Sequence, residues 1–549
     1  MRSKRTQNGL TVQAIAGTYV VLLGWNLEGA AARRNLLGFA IQRTDKAVDE
    51  TYWLRGMKTF DLPDLDRGYG STFSSFEHPF QGFQWADYSV HPGREYTFRI
   101  VPMYGRPGEL RAGDATTVTI TTESEQGETH TVYFNRGVVA SQEYARRFQN
   151  KKPSVVGADA YRWLSRGLVE ALLEFIGRAK NNTFSLHGAF YEFQWSSVLE
   201  ALKAAADNGA DVNIVYDAIG NAQSNHDAII AARLGRFCRP ITNGKIMHNK
   251  FLVLSKNGRP QAVWTGSTNI TENGIFGHSN CGHLVEDREI AERYLAYWTE
   301  LRGDPPLAEL RDWTTEQSPF DSSDMSANQV FSPRRGLDAL EAYAEIAAGA
   351  EKALFMTFAF GMHKDFLSVY QRNDSVLRFA LMEKEGTGSN LAKARQDIDR
   401  VRRRPNVIVA IGHHITVNSF DRWLKERRSV VGSTHVNWIH TKYMLVDPLG
   451  NDPMVVTGSA NFSKASTDTN HENMLVIRGN TRVADIYLGE FMRLYSHHAF
   501  RESVARHQAQ TGTTEDWRPQ FLAPNDSWVA PYFRADSALD LRRRYFAGI

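Results

Sequence analysis

His248-Asn-Lys250-Phe-Leu-Val-Leu254 leads, eighteen positions after its histidine, to Gly266-Ser267-Thr-Asn269. His440-Thr-Lys442-Tyr-Met-Leu-Val-Asp447 leads over the same eighteen positions to Gly458-Ser459-Ala-Asn461. Residue type, order and spacing all recur, so the chain contains a duplicated unit whose copies lie 192 positions apart (440 minus 248). A histidine and a lysine at i and i+2 project from one face of a strand, and the apolar run after them anchors that strand in a core. One His-x-Lys is commonly a surface pair or a satisfied structural residue; two phased copies, each closed by Gly-Ser-x-Asn, point to chemistry.

Two such strands facing one another offer two imidazoles, two ammonium groups and two amides to a single phosphate. A phosphodiester needs a nucleophile, an acid for the leaving oxygen and donors for the charge on the nonbridging oxygens. The set meets those needs with no metal and no cofactor.

The blocks resemble the H-x-K-x4-D and G-S-x-N motifs of the phospholipase D superfamily, and the likeness covers roughly residues 130–500. The resemblance implies a duplicated α/β fold and a covalent phosphohistidine intermediate resolved by water or an alcohol, with retention of configuration through two displacements. It implies that one of His248 and His440 attacks phosphorus and the other protonates the leaving group, while Lys250, Lys442, Asn269 and Asn461 hold the phosphate, supported by Ser267, Ser459 and Asp447. Two departures stand out, both in the first half. Ser255 occupies the position of the motif aspartate. Asn470-His471-Glu472 supplies a carboxylate resembling the family's histidine-orienting residue, whereas Asn280-Cys281-Gly282 has none. A carboxylate on one imidazole nitrogen fixes the tautomer and makes the other nitrogen more basic. In the family that partner can come from the opposite half, so Glu472 is expected to support His248 as nucleophile, with His440 as acid. For the second histidine, Glu286 and Asp287 are either partners or a solvated acidic cap.

Outward from the motifs, residues 133 to about 500 alternate strands and helices, the pattern of α/β units. Strands are expected at 183–190, 211–216, 353–360 and 375–382, helices at 196–208, 337–348 and 363–370. Tyr133-Phe-Asn-Arg-Gly137 and Val330-Phe-Ser-Pro-Arg334 rhyme ahead of the first long helix of each half. The seam falls at 303–328, polar and carrying Pro305-Pro306. Residues 10–122 read instead as short strands at 10–16, 19–27, 38–43, 85–89, 96–102 and 116–121. That stretch resembles a fibronectin type III or similar immunoglobulin-like sandwich, with Trp25 as core tryptophan and Pro92-Gly-Arg-Glu-Tyr96 as approach to a tyrosine corner; another β-sandwich is the alternative. The acidic stretch 123–128 reads as a linker. The expected division is 1–128 for the sandwich, 129–325 for the first phospholipase D-like half, and 326–549 for the second with a C-terminal strap.

Bulk composition narrows the setting. Of 549 residues, 42% are hydrophobic and 23% charged, as in soluble globular domains. Sixty-four basic against sixty-one acidic residues give +3, which excludes a wholly polyanion-binding surface but leaves room for a local basic groove. Cys238 and Cys281 are the only cysteines, so a disulfide-rich scaffold and a four-cysteine site are excluded while one bridge stays open. No apolar run reaches the length of about 18 residues that a membrane-spanning helix needs. The basic Met1-Arg-Ser-Lys-Arg5, the apolar 14–25 and Ala30-Ala31-Ala32 have the outline of a secretory leader, but Gly17, Thr18 and Gly24 break it and strand patterning resumes, so a cytoplasmic protein is expected, with secretion the alternative.

Substrate is read from charge. Lys393, Arg395, Arg400, Arg402, Arg403, Arg404, Arg422, Lys425, Arg427 and Arg428 lie ahead of His440, and a groove bordered by them, Arg402 to Arg404 above all, suits a nucleic-acid backbone; a solvated helix face is the bland alternative. Trp517, Phe521, Trp528 and Phe533 support phospholipid instead, or with Pro519, Pro524 and Pro531 form a strap covering a core. A nuclease is favoured, a phospholipase D or phosphatidyltransferase second, a non-catalytic phosphate-binding scaffold third. Residues 10–122 are expected to meet a protein partner.

Overall fold

A computed structural model describes residues 1–63, 65–67, 71–137, 142–149, 151–320, 329–386, 390–412, 439–511 and 519–549. Its first strands follow from local turn chemistry. Asn8 and Gly9, both at positive φ, form the two-residue turn that folds Arg2–Gln7 onto Leu10–Ala16, and Gly17 returns a backbone hydrogen bond to Val20 before Val21–Leu27. Gln84–Asp87 completes this four-stranded sheet. The facing sheet is ordered Glu109–Ala112, Glu95–Arg106, Leu36–Asp45, Glu50–Trp53, with Thr116–Thr121 also paired to Glu95–Arg106. Trp25, Phe39 and Tyr96 are fully buried between them, and the Tyr96 hydroxyl accepts the His91 backbone N–H at 2.8 Å. All six expected strands are present; Arg2–Gln7 escaped notice because it is polar throughout.

The remainder carries two seven-stranded mixed sheets of the same strand order. The first runs His130–Phe134, Cys281–Val285, Arg259–Gly266, Lys250–Lys256, Phe184–Phe190, Asp211–Asp217, Cys238–Ile241; the second runs Gln329–Ser332, Glu472–Arg478, Met454–Gly458, Tyr443–Val446, Ala353–Phe358, Leu377–Met382, Val407–Ile411. In each, the last three strands are parallel and the rest antiparallel. The rhyming segments at 133–137 and 330–334 mark the equivalent edge strands. Side chains of both sheets, among them Phe251, Trp264, Phe355 and Tyr443, share one core with Tyr487 and Phe491 of the long helix Thr481–Thr511.

Two expectations change. The seam contains a helix, Leu307–Gln317, rather than a bare linker, while 321–328 lies outside the described residues. Glu123 is buried and pairs with the Met1 amino group and with Arg482, so the acidic stretch is tied down at its start. The C-terminal strap crosses back to the N-terminal sheets: Trp528 lies against Phe39 and Phe83, its indole N–H donating to Leu36 O at 2.9 Å, and the helix Ala538–Ala547 packs on Val21–Leu27. Trp528 and Phe533 therefore cover a core instead of facing lipid, and Phe521 bridges to Thr59; Trp517 lies outside the described residues. Cys238 and Cys281 are free, which closes the question of a bridge. Among the described residues no helix is long and apolar enough to cross a membrane.

Candidate active site

The two halves meet through backbone before they meet through side chains. Met247 bridges to His471, and Ile439 bridges to Ser279, so the residue ahead of each motif histidine is paired with the residue ahead of its orienting group in the other half. The His248 N–H donates to His471 O at 2.9 Å, and the His440 N–H to Ser279 Oγ at 3.2 Å. This cross-pairing draws both histidines off their own sheets. The regular strands begin only at Lys250 and Tyr443, so the expected arrangement of histidine and lysine along one strand face gives way to a histidine in the approach to the strand. Each lysine instead folds back, Lys250 Nζ donating to His248 O and Lys442 Nζ to His440 O.

Each imidazole is held at Nδ1 from the opposite half. His248 Nδ1 donates to Glu472 Oε2 at 2.8 Å, and Ser459 Oγ donates to the same oxygen at 2.7 Å. His440 Nδ1 donates to Asn280 Oδ1 at 2.8 Å, and Ser267 Oγ donates to that oxygen, also at 2.8 Å. Glu472 and Asn280 both lie thirteen positions after their serine, which makes Asn280 the counterpart of Glu472; the sequence comparison had set it two residues out of register. Glu286 and Asp287 serve elsewhere, the first with Arg178 at 2.6 Å and the second capping the helix Arg288–Arg302, so neither reaches His440.

With Nδ1 of both rings engaged, Nε2 is the nitrogen left to a ligand. His248, His440, Asn269 and Asn461 line one cavity of about 330 Å³, and the amide oxygens of both asparagines have no hydrogen-bond partner among the described residues. Burial pushes the His248 imidazole down to about 4 despite the pull of Glu472. Burial alone would raise Glu472, yet His248, Lys250 and the Ser459 hydroxyl outweigh it and keep the carboxylate ionised. Burial lowers Lys250 to about 8, and burial with Lys250 nearby takes Lys442 well below its usual range. His440 is likewise pushed far down, by burial first and then by Lys442 and His278. The site thus holds more positive charge than it can comfortably keep, the electrostatic mark of an anion site.

Sequence reasoning missed Glu192, His278 and Phe360. Glu192 follows the strand Phe184–Phe190, accepts Asn269 Nδ2 at 2.5 Å and is raised by burial against the pull of Lys250. His278 stands 5.5 Å from the His440 ring, centroid to centroid, and Tyr191 meets His248 edge-on at 4.8 Å. The available signal was topological, since ligands gather outside the carboxyl ends of parallel strands, where residues 191–192 and 359–360 fall. Asp447 is remote from this end. Its carboxylate accepts the backbone N–H groups of Glu351, Lys352 and Ala353 at 2.7–2.8 Å, bracing the start of the strand Ala353–Phe358.

The arginines at 402–404 are not brought to the cavity. They precede Val407–Ile411, whose register with Leu377–Met382 puts Ile411 at the histidine end and Val407 at the far end. Arg402 is nearly buried, donating to Glu502 and to Val409 O at 3.4 Å, Arg403 caps its helix, and Arg404 follows it. A run that reads as a basic groove is in part an internal ion pair, since Glu502, which holds Arg402, also accepts the Ile411 backbone N–H at 2.9 Å. Arg422, Lys425, Arg427 and Arg428 lie outside the described residues.

Residues 172–302 and 412–495 match the family model described as cardiolipin synthase, PLD-like domain, so the chain contains a phospholipase D-like domain. No curated protein sequence matches the chain. Among solved structures, phosphatidylserine synthase of Haemophilus influenzae is 12% identical, with 62% of this chain aligned to 91% of that one at a TM-score of 0.41. A phospholipase D family member, Nuc from Salmonella typhimurium, is 29% identical over 25% of this chain and 86% of its own, TM-score 0.21. Polyphosphate kinase from Porphyromonas gingivalis is 14% identical over 56% of this chain, which spans only 42% of the kinase, TM-score 0.38. At these TM-scores the likenesses select no substrate.

Proposed function

We propose that the chain is a phosphodiesterase of the phospholipase D superfamily that cleaves single-stranded nucleic acid through a phosphohistidine. The observation that carries this reading is the pair of imidazoles lining one cavity, each fixed at Nδ1 by the other half. In the first step the His248 Nε2 lone pair forms the bond to phosphorus as the bond to the leaving oxygen breaks, and His440 gives that oxygen its proton from Nε2. In the second, His440 takes a proton from water, whose oxygen attacks phosphorus and releases His248. Lys250 and Lys442 receive the nonbridging oxygens. Burial first and then the neighbouring cations lower His440, and a bound phosphate, by opposing the charge of those cations, favours the proton that His440 must give. Asn269, Asn461, Ser267 and Ser459 complete the proposed set, with Asp447 supporting the strand.

Nucleic acid is favoured by the lip of the cavity. Phe360 is 47% exposed there, with Lys384 Nζ 5.2 Å from its ring centroid, a pairing of aromatic face and cation that suits a base and its phosphate. Among the described residues the aliphatic lining is Ile246 and Ala465, beside a largely polar wall. Transfer of a phosphatidyl group is the second reading, favoured by the description of the matched family. We read residues 1–128 as a fibronectin type III-like module whose residues 10–122 bind a partner, on the strength of its two facing sheets, Trp25 and the Tyr96 hydroxyl bond, within a division at 1–128, 129–325 and 326–549. The test is a panel of single-stranded DNA, duplex DNA, RNA and phosphatidylcholine in excess EDTA, with His248→Asn as control. Single strands are expected to be cleaved fastest without divalent metal. Faster turnover of phosphatidylcholine would replace the nuclease reading, and loss of all activity in EDTA with recovery in magnesium would sink the two-histidine mechanism.

A further inference from the structure

A second cavity, about 870 Å³, opens where the N-terminal sheets, the first seven-stranded unit and the helix Thr481–Thr511 meet, and it shares no lining residue with the cavity of the histidines. Its wall carries seven cations among the described residues, including Lys58, Arg136, Arg166, Arg493, Arg542 and Arg543. Among the described residues the acidic one on that wall is Glu143, already engaged by Arg146 and Arg147. Behind the wall, Glu490 is shared between Arg166 and Arg493, Asp540 serves Arg543, and Arg542 rests on the side-chain oxygen of Gln84. Arg136 has no carboxylate: among the described residues its side chain makes no hydrogen bond, its Nε is buried, and its guanidinium lies 4.8 Å from the Trp163 ring centroid. Burial and then Arg166 and Arg493 push it down to about 9.

A half-buried guanidinium whose buried Nε has no partner among the described residues is unfavourable unless something supplies the missing charge. The position is nevertheless held firmly. Arg493 donates to the carbonyls of Asn135, Arg136 and Gly137 at 3.1 to 3.4 Å, fixing the backbone beneath it. The rest of the wall is rich in flat rings, including Trp85, Trp163, Trp528 and Tyr532, with Leu494 and Leu522 as the branched aliphatic residues among those described. Planar donors suit phosphate, and aromatic faces suit a planar ring better than a flexible chain.

We infer that this cavity is a nucleotide-binding site, with the phosphates on Arg136 and Lys58 and the base against the tryptophan and tyrosine rings. It stands apart from the phosphodiester chemistry and does not depend on it. The volume lies within the usual range for small-ligand sites.

Calorimetric titration of the full chain with ADP tests this. ADP is expected to bind, more tightly than adenosine or inorganic phosphate alone. Lys442→Met, which removes a cation of the histidine cavity, should leave the Kd within about twofold, whereas Arg136→Gln should weaken it roughly tenfold or more, the worth of a charge-assisted hydrogen bond. Removing an unpaired buried charge should also raise the Tm of the ADP-free protein, a change opposite to that of a damaged fold. Should Arg136→Gln fail to fold, Lys58→Gln on an exposed side chain decides, with a several-fold weaker Kd expected. Absence of ADP binding, or binding that vanishes in Lys442→Met and ignores Arg136→Gln or Lys58→Gln, overturns the site. Displacement of ADP by phosphatidic acid vesicles at lower concentration overturns the nucleotide in favour of an anionic lipid.

Discussion

In the first half the strand Phe184–Phe190 runs out into Tyr191 and Glu192; in the second the equivalent strand Ala353–Phe358 runs out into Ala359 and Phe360. At the orienting position Asn280 from the first half meets His440, and Glu472 from the second meets His248. At the strand ends Ser255 stands opposite Asp447, its buried hydroxyl without a partner among the described residues, while Asp447 binds three backbone amides. The backbone positions are the same in each pair and the charges differ. A duplicated scaffold supplies geometry twice, and single substitutions then divide the labour: a carboxylate behind one imidazole favours its role as base or nucleophile, while a neutral amide behind the other fixes the tautomer without adding negative charge.

The sharpest way to break this comparison is to remove each histidine and change the leaving group. His248→Asn should abolish turnover, by about 10⁴-fold or more, for any phosphodiester. His440→Asn should lose roughly 10²- to 10⁴-fold on a nucleic acid but far less on bis(p-nitrophenyl) phosphate, whose leaving group needs no proton. The reverse pattern would exchange the two roles.

Making the halves alike should have the next largest effect. Glu472→Gln, which gives His248 the neutral partner that His440 already has, is expected to lower kcat about 10²-fold. Asn280→Asp should raise the His440 pKa and extend activity to higher pH at a cost under about tenfold. Equal kinetic losses from both changes would show that the difference between amide and carboxylate is incidental.

A pH profile sharpens the comparison of the lysines. Burial lowers Lys250 to about 8, so its charge is present below that pH and lost above it. Accordingly kcat/KM should fall as pH rises past 8, while kcat, measured with phosphate bound and the proton held on, should change less. A flat kcat/KM to pH 10 would remove Lys250 from phosphate binding.

The smallest effects belong to the strand ends. Asp447→Ala strips three amides of their acceptor and should cost about 1–3 kcal/mol in stability, with kcat of the folded enzyme little changed. Ser255→Ala should stay within about 0.5 kcal/mol, since it removes a hydroxyl that bonds nothing described. A large kinetic loss from Asp447→Ala would place it in the site after all.

The phased motifs, the alternation of strands and helices, and the buried Trp25 were legible because each is a local pattern with a fixed period or spacing. The serine-to-Asn280 spacing was legible too, and was misread by matching Asn280 to Asn470 instead of counting thirteen positions from each serine. Arg402 misled because charge along a helix says nothing of which charges meet an internal carboxylate, here Glu502 from a helix one hundred residues away. Local pattern alone was enough for the duplication, the identity of the paired histidines and lysines, and the all-strand character of residues 10–122. Only the tertiary structure decided which half orients which histidine, that Glu192 and Phe360 take equivalent places at the cavity, and that the C-terminal aromatics return to the first sheets. The physical reason is contact distance along the chain: His248 and Glu472 are 224 residues apart, and nothing local in either segment encodes a 2.8 Å hydrogen bond that exists only after the two sheets have packed into one core.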